Sequence, residues 1–163
     1  MPYKSRRTFF KTTFLTSLVM VMSQNKLFAS VTPLQTLAVA QGDLFPQEVI
    51  TSSNALSYIS IIFKHTRISA GKKQFVRNGT KWLNEEAVKQ YDKLYTQLNP
   101  AQRQNILQII SKESWGRSWI KTVLSYILEA VLGDPIYGIN KNEFGWKWLE
   151  HESGLPRPKE ARL

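Results

Sequence analysis

Cysteine is absent from the 163-residue chain, which excludes disulfides, thiolate zinc sites, cysteinyl iron–sulfur clusters and covalently attached c-type haem. Histidine is scarce: His65 and His151 stand apart, in no HExxH or paired arrangement, and supply too few donors for a metal centre. No GxSxG, P-loop or GxGxxG segment occurs, so nucleophile, phosphate and dinucleotide readings have no motif behind them. Gly133-Asp134-Pro135-Ile136-Tyr137-Gly138 comes nearest to a glycine-rich loop, but it follows a helical pattern instead of leading into one. A membrane-length apolar run is also missing. The apolar stretch Thr12–Met22 would span about 16 Å as a helix, against a hydrocarbon core of roughly 30 Å.

Acidic residues are missing from the first 42 positions, where Lys4, Arg6, Arg7, Lys11 and Lys26 stand without a counter-charge. The whole chain carries +10; without those five residues, 17 basic side chains face 12 acidic ones, a surplus of +5. Half of the excess therefore belongs to a short basic leader followed by a modest apolar stretch. Ser5-Arg6-Arg7-Thr8-Phe9-Phe10-Lys11 resembles the twin-arginine export motif in its arginines, its aromatic positions and its lysine. For removal of such a leader, Ala38-Val39-Ala40 before Gln41 offers small residues at the two positions a signal peptidase requires, with Ala29 as the competing site. The expected division is a leader over 1–40 and one mature domain over 41–163.

With 42% hydrophobic and 12% aromatic residues the mature chain can build a core, and its periodicity is helical. Leu56, Ile59 and Phe63 mark a helix over Asn54–Thr66. A second begins at Ser69, carries Phe75, Val76, Trp82 and Leu83, and weakens at Gly79. Asn84-Glu85-Glu86 reads as a cap with first-turn acids opening a third over Ala87–Leu98. Asn99-Pro100 opens a fourth, and Ser114–Leu132 is a fifth with Trp115, Trp119, Val123, Ile127 and Val131 on its apolar side, stopped by Gly133 and Pro135. The expected architecture is an all-α bundle of about five helices with an irregular tail rich in Gly, Pro and aromatics. Lys72, Lys73, Arg77 and Lys81 recur at helical spacing, but four charges on one exposed face describe a solvated surface better than a nucleic-acid track.

A signal for exporting folded protein, on a chain with no visible cofactor site, makes sense when the chain carries the signal for a partner that folds around a cofactor. Catalytic, cofactor-binding and metal-binding residues are accordingly not expected here. Asp43-Leu44-Phe45-Pro46, the stretch Phe75–Ala87 and above all Gly133-Asp134-Pro135-Ile136-Tyr137-Gly138-Ile139-Asn140 with Gly145-Trp146-Lys147 resemble the gluconate 2-dehydrogenase subunit 3 family. These are the small, gamma-type subunits of membrane-associated flavin-dependent sugar-acid dehydrogenases, and the likeness covers roughly Asp43 to Pro158. It implies a periplasmic complex at the inner membrane. There a large flavoprotein holds FAD and selects the substrate, a cytochrome c subunit often relays electrons, and the small subunit supports folding, export and stability. The block Asp134, Pro135, Tyr137, Gly138 and Asn140, with Trp146 and Trp148, becomes the expected partner contact. A transient export chaperone for the flavoprotein and a stand-alone periplasmic helical binding protein are the competing readings.

Overall fold

Prolines, asparagines and glycines punctuate the chain into helices. The computed structural model describes residues 32–157, 159 and 160; Arg6, Arg7, Phe9, Phe10, Lys11 and Ala29 lie outside them. The helices are α1 (Pro33–Leu44), α2 (Gln47–Ser52), α3 (Ala55–Lys64), α4 (Ala70–Tyr91), α5 (Pro100–Ser111), α6 (Ser114–Leu132) and the short α7 (Phe144–Trp148). Three 3-10 turns, at Tyr95–Gln97, Pro135–Tyr137 and Lys141–Glu143, join them, and there is no strand among the described residues. The fold is all-α, as expected.

Several boundaries follow directly from side-chain chemistry. Ser69 caps α4 by accepting from the Lys72 N–H. Asn99 caps α5 in a reciprocal box: its Oδ1 accepts from Gln102 N at 2.9 Å and Gln102 Oε1 accepts from Asn99 N at 3.1 Å, with Pro100 at the first helical position. Helix α6 runs over the residues its periodicity predicts.

Five helices have ten or more residues, which agrees with the expected number, but two differences in detail cancel. The expected break at Asn84 does not occur, because α4 is one helix of 22 residues. Asn84 is buried inside it, its Nδ2 donating to Thr36 Oγ1 and its Oδ1 accepting from Tyr95 N, each at 3.0 Å. The adjacent acids serve the same helix: Glu85 pairs with Lys81 at 3.6 Å, and Glu86 with Lys89 at 3.4 Å. Leu94, Tyr95 and Leu98, expected on a helix, pack inward from a 3-10 turn and its flanks. The second difference is α1, which lies across residues assigned to the leader.

The core is organised by α4 and α6, against which the other long helices pack. Where the two meet, Trp119 is fully buried and donates from Nε1 to Val76 O at 3.1 Å, while its indole lies on the bare backbone of Gly79. A Cβ at Gly79 would overlap the indole ring. The glycine that weakens the helical pattern in the sequence is thus the seat for the largest fully buried side chain. Gly116 plays the same part at the α5–α6 hairpin, leaving room for Ile110 O.

Helix α1 closes the bundle. Thr36, Leu37, Ala40 and Gln41 are each at most 1% exposed, and the helix contacts α4, α5 and α6. Its C-terminal end is tied by Asp43, whose Oδ2 accepts from Tyr95 Oη and Arg103 Nε, both at 2.8 Å, while Arg103 Nη1 donates to Leu98 O at 2.7 Å. Gly79→Ala raises intrinsic helix propensity yet is expected to lower stability by about 1–3 kcal/mol, because the added methyl overpacks the Trp119 seat. Urea denaturation checks this, and a more stable variant would show that the indole has room to move.

Candidate docking surface

The C-terminal segment expected at a partner contact is a strap folded over the end of α6. A helix ends with carbonyls that lack intrahelical partners, and here Asn140 takes up one of them together with the carbonyl of the Gly133 cap. Its backbone N–H donates to Ala130 O at 2.9 Å and its Nδ2 donates to Gly133 O at 3.0 Å. Its Oδ1 accepts from Gly145 N at 2.8 Å, which fixes the start of α7. Asn140 is fully buried and sits at φ 46°, a left-handed conformation that asparagine tolerates better than most residues. Between α6 and Asn140 the chain turns through Pro135–Tyr137, capped by Asp134 Oδ1 accepting from Ile136 N, and reverses at Gly138, φ 76°.

Trp146 locks the strap down, donating from Nε1 to Leu132 O at 2.6 Å, with only 8% of its surface exposed. Gly145 stays bare because a Cβ would strike Val131 O, so α7 rests directly on the α6 backbone. Further along, Arg157 returns over the Trp146 ring, 4.9 Å from its centroid, and its guanidinium bridges Asp134 and Glu143. His151 meets the same indole edge-on at 6.0 Å. Nothing in the sequence spacing distinguishes Arg157 from the other basic residues of the tail; only the return of the chain makes it a clamp.

The seven residues expected at a partner contact therefore divide. Asp134, Asn140 and Trp146 spend their polar atoms inside the strap. Pro135 and Tyr137 are half-buried, Gly138 is exposed, and Trp148 stands 46% exposed, its ring meeting Phe45 edge-on at 5.7 Å. Leu149 and Leu155, 49% and 86% exposed, accompany it in the same segment. An indole and two leucines are thus left in solvent on the strap, among exposed charged residues.

Two clefts of similar volume lie among the described residues. One of about 540 Å³ lies between α4 and α6 beside Lys72, Phe75, Tyr126 and Glu129. The hydroxyls on its wall, Thr122 and Ser125, donate to the α6 carbonyls of Ser118 and Lys121 instead of converging on the space. Another of about 540 Å³ lies beside Asp43 and Arg103, which pair with each other, Asp43 also accepting from Tyr95 Oη and Arg103 donating to Leu98 O. Among the described residues no three His, Asp or Glu side chains gather into a ligand set, and no helix is long and apolar enough to cross a membrane. His65 accepts from Arg67 N at its Nδ1 (3.1 Å), and Arg77 covers the Phe63 ring at 4.7 Å.

Two phenols are held neutral. Burial, then the hydrogen bond to Glu129 Oε2 and the charge behind it, push Tyr58 up to about 12, and burial with the bond to Asp43 raises Tyr95 strongly against the opposing pull of Arg103. A phenol whose pKa is raised by folding contributes stability that is complete below the ordinary value near 10 and is lost as pH climbs through the folded value. The protein is therefore expected to lose stability between about pH 10 and 12 while Tyr58 and Tyr95 titrate late. Tyrosinate absorbance and urea denaturation at pH 9 and 11 check this.

Neither the curated proteins nor the solved structures give a match to this chain. The family model for gluconate 2-dehydrogenase subunit 3 matches residues 33–154, from the first residue of α1 to the strap. The matched length is well over half of the chain and spans α1–α7, so the chain belongs to the gluconate 2-dehydrogenase subunit 3 family.

Proposed function

We propose that the chain is the non-catalytic small subunit of a periplasmic, FAD-dependent gluconate 2-dehydrogenase complex, associated with the inner membrane through that complex. Membership of the subunit 3 family carries the reading, since the family's name places its members within a multi-subunit enzyme. The polar groups that hold the bundle together, Asn84, Asp43 and Asn140, are committed to bonds between its elements, which supports a scaffold role.

In this reading FAD and substrate selection reside on the large flavoprotein, a cytochrome c subunit relays electrons, and the small subunit folds with the flavoprotein and brings it to the twin-arginine translocase. The apolar surface around Trp148, Leu149 and Leu155 is the docking site, and the internal bonds of Asp134, Asn140 and Trp146 keep it rigid, so that little ordering entropy is lost on binding.

Two experiments test this. Trp148→Ala combined with Leu149→Ser is expected to reduce co-purification of the flavoprotein at least tenfold while leaving the helical circular dichroism spectrum unchanged, because both side chains are half-exposed. Undiminished co-purification would remove the docking assignment. Replacing Arg6 and Arg7 with lysine is expected to strand both chains in the cytoplasm; continued export of the flavoprotein would refute co-export. A subunit that leaves the flavoprotein after export, instead of remaining at fixed stoichiometry, would identify a chaperone.

A further inference from the structure

The sequence match to a peptidase site at Ala38-Val39-Ala40 falls inside α1, Pro33–Leu44. Within the export reading given above, on which this step rests, we infer that the leader is cut on the N-terminal side of Pro33 and that the Ala40–Gln41 bond stays intact in the exported protein.

Three consequences of a cut after Ala40 argue against it. Gln41 would become the new N-terminus, placing an ammonium charge on a residue only 1% exposed. Leu37 and Ala40, 1% and 0% exposed, would leave the core and open its surroundings to water. Thr36 would be lost from the buried bond with Asn84 Nδ2, leaving an amide that also anchors the Tyr95 turn half-satisfied.

The small residues have a packing reason of their own, since Ala40 is buried in the core where α1 contacts α4, α5 and α6. A peptidase takes its substrate as extended chain, whereas residues 33–44 are helical. The twin-arginine route transports folded protein, so α1 would already be formed when the peptidase is met. At the other end of α1 the situation reverses: Thr32, Pro33, Leu34 and Gln35 are exposed, so Thr32 and the first residues of the helix, unlike Gln41, do not sit in the core. The second of the chain's two units begins at Pro33, and the family match begins at residue 33. Ala29, the other sequence candidate, then becomes the favoured position, leaving Ser30 first.

The test uses the full-length chain co-expressed with its flavoprotein in a bacterium with an active twin-arginine system, followed by intact-mass measurement of the exported subunit. A mature N-terminus upstream of Pro33 is the expected result. An exported chain beginning at Gln41, or one still carrying its leader, overturns the inference. A chain found uncut and only in the cytoplasm refutes the export reading instead, so the two failures are separable. Ala38→Gln, which places a bulky side chain at the position a cut after Ala40 needs small, provides the second arm: the mature mass should shift only by the substitution, and abolished processing would overturn the assignment.

Discussion

The contact between the Trp119 indole and the Gly79 backbone sets the distance between α4 and α6, and the other long helices are arranged around that pair. An indole fills a large volume but carries one N–H that must be satisfied when buried. The Val76 carbonyl supplies the partner one turn before the glycine, so a single side chain fixes both the spacing and the rotation of the two longest helices. With those axes set, the α5–α6 hairpin closes over Gly116, and α1 lies across the bundle with Asn84 and Asp43 as its polar ties. Asn84 is buried, and there a missing partner costs far more than a formed bond contributes. That tie specifies where α1 lies more than it adds to the helix's adhesion.

The strap applies the same logic at the other end of α6. One buried asparagine takes up helix-end carbonyls and starts the next helix, one tryptophan closes on Leu132 O, and one arginine covers that tryptophan. Polar chemistry that resembles a site in the sequence is consumed in making the loop rigid. Among the exposed polar residues of the segment, Trp148, Leu149 and Leu155 are the large apolar side chains that remain outward. The bonds of Asn140, Trp146 and Arg157 hold the strap against α6 in a chain that belongs to the gluconate 2-dehydrogenase subunit 3 family, whose name implies a multi-subunit enzyme.

Much of this was legible in the sequence. The Asn99-Pro100 cap and the run from Ser114 to Gly133 are local signals, decided within a few residues of each other, and the structure reproduces both. The family block at Gly133–Lys147 was recognisable as a unit, although its inward role was not. Asn84-Glu85-Glu86 misleads because capping chemistry and mid-helix chemistry use the same residue types. What turned Asn84 into a buried tie is the presence of Thr36 and Tyr95, 48 and 11 residues away. Helix α1 was hidden for a related reason, since the small residues that let helices approach closely are those a signal peptidase accepts.

The sequence by itself determined the helical class, the start of α5, the extent of α6 and the family, because each rests on composition or on spacings of a few residues. Only the tertiary structure decided that α4 is continuous, that Gly79 is a seat and not a break, and that Thr36, Leu37 and Ala40 are buried in the bundle. It also decided which aromatic of the strap points out: Trp146 and Trp148 are two positions apart and chemically identical. The Leu132 carbonyl and the Arg157 clamp, brought there from distant parts of the chain, hold the first inward and leave the second exposed.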